Sequence, residues 1–218
     1  MAGPRNDSTG RGYHHGDLKE ALVNAAIWLI EHKGPEGFTL AEAARWAGVS
    51  PAAPYRHFRD REDLLSKVAQ RGFALFEADL LAAWNDGRPN PLKAFEHLGR
   101  AYLAFAKSKP AFYFAMFEAA IPLDNDEELR KANDRVFAIL RNVAASLAAS
   151  LPPSSRPPAL MMASHFWALT HGVAALFGRG DRARRALPMS AEDLWEAANL
   201  IYCDGLGLRG PRKSPPRP

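Results

Sequence analysis

The sequence predicts an all-α fold, with a short three-helix head followed by a larger helical domain. Apolar residues recur at three- and four-residue spacing along most of the chain, whereas β-branched residues are sparse and no run alternates cleanly. Residues of the helix-capping type, followed three positions later by an acid, stand repeatedly at the starts of these apolar stripes. Proline- and glycine-rich breaks separate the stripes. With 218 residues, 47% of them apolar, the chain is long enough to bury a substantial core, on a prior of roughly 150 residues per domain.

Before Tyr13 the sequence is polar and glycine-rich, which predicts a disordered basic arm over 1–12. The first helix is expected to open at Asp17, with Glu20 completing a capping box, and to bury Leu18, Leu22, Ala25 or Ala26, and Leu29 before ending near "HKGPEG". Thr39 and Glu42 predict the start of a second helix that runs only to about Trp46, and Gly48 suits the left-handed position after it. Ser50 is expected to cap a third helix. In it Pro51 falls at the first helical position, where an N–H is dispensable, and Pro54 at the fourth, where it deletes the first intrahelical bond. Asp60 caps a fourth helix carrying Leu64, Leu65, Val68, Phe73, and Leu75 or Phe76 toward Trp84.

Beyond "NDGRPN" the helices lengthen. Asn90-Pro91 starts one with Leu92, Phe95, Leu98, Tyr102 and Phe105 in register, and Pro110 starts a short aromatic one, "PAFYFAMFEAA". Another runs from about Asn125 to Ser150, burying Leu129, Val136, Ile139 or Leu140, Val143 and Leu147. The segment "PPALMMASHFWALTHGVAALFG" is apolar nearly all round, so it needs cover on both sides. The last helix opens at Ser190, with Asp193 three on, and closes near Gly205; "RGPRKSPPRP" reads as a basic tail. The predicted organisation is a three-helix head over 13–60, a connecting helix over 61–85, a larger helical domain over 86–208, and a disordered tail over 209–218.

Composition and spacing argue against several classes. No run reaches the roughly 18–20 uninterrupted apolar residues of a membrane span, and the start of the chain carries no apolar signal-peptide core, so a cytoplasmic protein is expected. The single Cys203 allows neither an internal disulfide nor a thiolate cluster for zinc. No cofactor or metal site is predicted; His14-His15-Gly16-Asp17 has no second ligand cluster to complete it. Net charge is +4, a weak pointer to polyanions.

The two short helices around Gly48 have helix-turn-helix spacing, in which the second helix enters the DNA major groove. Thr39, Ser50, Tyr55 and His57 supply hydrogen-bonding groups there, and Arg56, Arg59, Arg61, Lys67 and Arg71 supply charge, the mix that binds phosphates. A purely structural reading remains open: the hydroxyls as caps, Tyr55 and Phe58 as core, the arginines as partners of Asp60, Glu62 and Asp63. The segment "FTLAEAARWAGVSPAAPYRHFRDREDLL", positions 38–65, resembles the TetR family of bacterial transcriptional regulators through its Gly-Val-Ser turn, its Tyr-x-His-Phe and its cation-acid pair before Leu-Leu. Trp167, His171 and Gly172 in "FWALTHG" resemble the Trp-x-x-x-His-Gly signature of one regulator-type C-terminal domain.

The resemblance implies that Ala41, Pro51, Ala52, Ala53, Tyr55, Arg56 and His57 face double-stranded DNA, with Thr39 and Arg61 toward phosphates. Alanine and proline touch thymine methyl groups but cannot bond base edges, which leaves Arg56 as the side chain able to grip guanine with two bonds. Arg5, Arg11, His14 and His15 of the arm are in reach of a neighbouring groove. The resemblance further implies a homodimer and a small-molecule effector pocket in the C-terminal helices. Tyr102, Phe105, Phe112, Met116, Phe117, Phe137, Trp167 and His171 are its candidate lining, with plain core packing as the other reading of each. A repressor on a palindromic operator, released by an apolar effector, is the expected function. The alternative is a helical binding protein or enzyme using the Tyr55–Arg61 cluster on an anionic substrate, although no Ser-His-Asp grouping, glycine-rich phosphate loop or metal spacing supports catalysis.

Overall fold

The computed structural model describes residues 15–34, 38–178 and 187–209, with side chains from Leu18 onward. Among the described residues every regular element is helical. In order they are α1 (His15–Lys33), α2 (Leu40–Trp46), a 3-10 turn (Ala53–Arg56), α3 (Arg61–Trp84), α4 (Pro91–Ser108), α5 (Pro110–Tyr113), a π turn (Phe114–Glu118), α6 (Glu127–Ala149), α7 (Ala159–Phe177) and α8 (Ala191–Gly205), with further short 3-10 turns between. The chain divides into two compact units at Leu65–Ser66, inside α3. The predicted arm, Arg5 and Arg11, the side chains of His14-His15-Gly16-Asp17, and the tail beyond Arg209 lie outside the described residues.

The first unit is built on the aliphatic stripe of α1. Leu22, Val23, Ala25, Ala26, Leu29 and Ile30 are buried with Phe38, Leu40, Ala43 and Ala44. α1 begins at His15, two residues before Asp17, so Asp17 lies within its first turn and is not its cap. The start of α2 follows its capping residues: Thr39 Oγ1 accepts the Glu42 N–H at 3.2 Å, and Glu42 returns the bond to the Thr39 N–H at 3.0 Å. The Lys33 ammonium, 3.0 Å from Glu42, and the Thr39 N–H hold that carboxyl below its usual range.

In the second unit local capping again sets the boundaries. Asn90 Oδ1 accepts the Lys93 N–H at 3.0 Å to open α4, and Ser190 and Asp193 cap each other at α8. The buried face of α6, with Leu129, Val136, Ile139, Leu140, Val143 and Leu147, is the predicted one. α7 packs on α4, α6 and α8. It is also the one described helix long and apolar enough to cross a membrane by length and composition. Its inward side is Met162, Ala163, Phe166, Thr170, Val173 and Ala174.

Two contacts fix how these helices meet. Trp195 of α8 is fully buried against Phe95 and Phe166, with ring centroids 6.3 and 5.4 Å away, and its indole lies so close to Gly99 of α4 that a Cβ there would overlap it. Gly99→Ala is expected to destabilise the protein by about 1–3 kcal/mol, since the indole has no room to retreat in a packed core. Urea unfolding checks this.

The second contact is Asp126. Its Oδ2 accepts from Ser66 Oγ at 2.6 Å, Gln70 Nε2 at 2.7 Å and Lys67 Nζ at 3.1 Å, all from α3. Its Oδ1 takes the N–H groups of Glu128 and Leu129 as the cap of α6. Burial pushes this carboxyl up, but the bonds from Ser66, Leu129 and Lys67 outweigh it and hold the group at about 2. An unfolded aspartate titrates near 3.9. The folded value is the lower one, so the stabilisation is fully present above about pH 5 and is lost as pH falls toward 2. Asp126→Ala should lower stability by about 2–3 kcal/mol at pH 7, combining a lost cap with lost charge-assisted bonds, and by progressively less as pH falls to about 2. Urea melts at several pH values check both the size and the trend.

Candidate nucleic-acid interface and sensor cluster

The turn after α2 is closed by Gly48 at φ +73°, with the Gly48 N–H on the Arg45 carbonyl at 3.2 Å and the Val49 N–H on the Ala44 carbonyl at 3.0 Å. This paired reversal satisfies the last carbonyls of α2 and requires the left-handed glycine. Past Val49 the backbone departs from the expected helix. Ser50 does not cap an α-helix: residues 51–52 form a turn and only Ala53–Arg56 are helical, as a single 3-10 turn with no side-chain cap. Pro54 explains the start of the contraction: it cannot donate the N–H that would bond the Ser50 carbonyl at i→i−4, and that carbonyl takes the Ala53 N–H at 3.0 Å in the tighter i→i−3 register.

The same proline orients the segment. Pro54 is buried, and its carbonyl takes the N–H groups of both His57 and Phe58 at 2.9 Å. Phe58 is buried too. The inward pull of Pro54 and Phe58 leaves Ser50, Pro51, Ala52, Tyr55 and Arg56 exposed as one short ridge, with Tyr55 at 63% exposure; Ala53 and His57 are half-buried. Tyr55 is therefore surface and not core. Thr39 is exposed, but its hydroxyl is engaged in the α2 cap. Arg61 is half-buried: its Nε donates to the Phe38 carbonyl at 3.2 Å and its guanidinium lies 4.7 Å over the Phe38 ring. Arg59 lies 3.8 Å from Asp63, while Asp60 Oδ1 accepts the Asp63 N–H at 2.8 Å and caps α3 as predicted.

In the second unit five of the eight candidate lining residues converge. Phe117 lies 5.9 Å from Trp167, 5.5 Å from His171 and 6.3 Å from Tyr102, and Phe137 lies 5.5 Å from Trp167. The Tyr102 and Tyr113 hydroxyls sit 3.1 and 2.9 Å from His171 Nδ1. Burial lowers the His171 pKa, raises that of Tyr102, and pushes Tyr113 up to about 12, so all three are neutral at pH 7. Of the other three candidates, Phe105 reaches the cluster through Phe76, and Phe112 and Met116 pack on α3. Phe105 is fully buried against Phe76, with centroids 4.7 Å apart. Phe112 and Met116 press on Gly72 of α3, where an added Cβ would meet Met116 Sδ at 2.7 Å.

Tyr113, Phe73 and Phe76 also belong to this cluster, although the sequence did not single them out as lining. Tyr113 stands four residues before Phe117, a spacing that could have found it. A separate shallow apolar crevice is lined by Phe95, Leu98, Leu140, Leu147, Phe166 and Tyr202 among others. It contains none of the predicted lining residues.

A glycine-closed turn between α2 and a short 3-10 turn, presenting an exposed ridge, has the layout of a contracted helix-turn-helix. Residues 22–68 match the model for bacterial regulatory proteins of the tetR family, and residues 95–199 match that for the tetracyclin repressor-like C-terminal domain. The chain is 34% identical over 80 residues to the HTH-type transcriptional repressor BepR of Brucella suis, covering 37% of this chain and 38% of that one. It is 30% identical over 138 residues to the HTH-type transcriptional regulator BetI of Agrobacterium fabrum, covering 62% and 66%. The chain thus spans less than two thirds of the length of these curated relatives. A Rhodococcus sp. RHA1 protein of unknown function superposes with a TM-score of 0.74 at 27% identity, over 90% of this chain and 98% of that one. This protein belongs to the tetR family of bacterial regulatory proteins. That family, BepR and BetI are regulators, not enzymes.

Proposed function

We propose that the protein is a cytoplasmic, homodimeric transcriptional repressor that binds palindromic double-stranded DNA and is released by an apolar or aromatic small molecule held in the second unit. The observation that carries this reading is the ridge Ser50–Arg56: it is exposed although Pro54 inside it is buried, so the fold spends its anchoring residue on presenting its neighbours. Arg56 is its guanine reader, Pro51, Ala52 and Ala53 meet thymine methyl groups, and Thr39, Ser50, Tyr55, His57 and Arg61 contribute toward the backbone. With so few base-reading groups, DNA shape supplies part of the specificity.

Dimerisation rests on the outward side of α7 and α8. Leu160, Met161, Leu176, Leu200 and Ile201 are exposed, and Ser164, Ala168 and Gly172 between them on α7 are small and exposed. An apolar face of this extent is uncommon on a monomer. Pairing it with its own copy about a twofold axis covers both faces. Half-sites would then lie about 34–36 Å apart or somewhat more. Effector must favour the conformer with lower DNA affinity, since equal affinity for both shifts nothing.

Selection from a random duplex pool tests the reading. Enrichment of a sequence with two inverted half-sites is expected; a pool still random after repeated rounds at low salt would contradict DNA recognition.

A further inference from the structure

The centre of the aromatic cluster is occupied by the protein itself. The Phe117 ring lies 5.1–6.3 Å from the rings of Phe73, Phe76, Tyr102, Tyr113, Trp167 and His171, which come from α3, α4, α5 and α7. A residue so enclosed would ordinarily sit on a regular helix. Phe117 instead rides on the π turn Phe114–Glu118, closed by the Ala119 N–H on the Phe114 carbonyl at 2.9 Å, and the turn runs directly into Ala120 at φ +52°. A non-glycine residue in that left-handed region is disfavoured, and π turns are rare and frequently stand at functional positions. Relaxing the π turn to an α turn shifts the register by one residue, about 100° of rotation, which carries Phe117 out of the ring shell. The ring is also half-buried, as are Phe137, Trp167 and His171, so the shell has an open side.

Beside the ring is a small polar spot. His171 Nδ1 faces both phenol oxygens, yet it has one in-plane position and can accept only one O–H. The two phenols also hydrogen-bond each other, so one phenolic hydrogen serves His171 and the other serves the neighbouring phenol oxygen; an incoming hydrogen-bonding oxygen enters this spot by exchanging with one of those bonds. No lysine or arginine is among these residues, and the carboxylate that Tyr113 senses is that of Glu118. An anionic ligand would lack a counter-ion here.

We propose that Phe117 is a built-in plug in the effector site, and that the effector is a neutral, single-ring aromatic with a hydrogen-bonding oxygen, phenol-like in chemistry, which takes the place of the Phe117 ring and bonds to the Tyr102–Tyr113–His171 spot. The regulatory consequence rests on the repressor reading above; the binding does not.

Phe117→Ala in the full chain tests this, with phenol, toluene and benzoate as probes in calorimetry. An emptied apolar site accepts a ring of the size removed, so the variant should bind phenol at least about tenfold more tightly than the unmodified protein does. Phenol should exceed toluene, Tyr113→Phe in the same background should abolish that preference, and benzoate should gain nothing. A variant of unchanged helix content that binds phenol no better than the unmodified protein overturns the plug. Equal gains for all three probes overturn the assigned ligand chemistry. Should the alanine variant not fold, Phe117→Leu leaves a smaller void with the same expected order of probes, and absence of that order counts against the proposal equally. Phenol binding that leaves DNA affinity unaltered sustains the plug and contradicts effector-driven release instead.

Discussion

Replacing Ile201 with glutamate is expected to yield a monomer and to lower operator affinity by about 100-fold or more, because two linked heads gain roughly 10²–10⁴ over one through effective concentration. Ile201 is 73% exposed in the single chain, so the new carboxylate meets water in the monomer and loses it only at an interface. Helix content and the melting temperature at low protein concentration should change little. Gly172→Leu is an independent companion, since a Cβ at Gly172 has no atom within 4 Å and the larger side chain blocks only a close approach by another helix. Sedimentation measures both. Retention of the dimer by both variants would remove this face from the interface.

Arg56→Ala should weaken operator binding by about 1–3 kcal/mol and relax preference at one base position, while leaving nonspecific binding little changed. The argument is one of elimination on the exposed ridge: Pro51, Ala52 and Ala53 have no group that bonds a base edge, and Tyr55 cannot offer the paired donors of a guanidinium. Arg56→Lys keeps the charge but loses the fork, so it should recover affinity without recovering the preference. Base-resolved selection with each variant checks this, and an unchanged preference at every position would refute the role of Arg56.

Helix starts were the most legible part of the fold. Thr39 with Glu42, Asn90, Asp60 and Ser190 with Asp193 act within one turn, so the sequence contains both partners of each bond. Asp17 failed because α1 gains another turn-start at His15 upstream of the apparent cap. The lost bond at Pro54 was readable, but its consequence was not. The segment after Ser50 contracts to a single 3-10 turn, and burial of the Pro54 ring decides what stays exposed.

The aromatic cluster was half legible. Trp167 and His171 share a face by spacing, and aromatic richness pointed at Phe117 and Tyr102. The π turn left no mark in the apolar spacing of the sequence. For α7, apolar nearly all round, periodicity could not divide the inward side from the outward one. The structure turns Ala163 and Ala174 inward with Trp195 of α8, and leaves Leu160, Met161 and Leu176 outward.

The most direct measurement of whether this protein is a dimeric DNA reader is a salt titration of binding to the selected duplex, with stoichiometry read in the same samples. Two chains per duplex are expected, and log affinity should fall linearly with log salt at roughly −0.9 per phosphate neutralised, for a total slope of several. A salt-independent affinity, or one chain bound per duplex by a protein that sediments as a monomer, would contradict it.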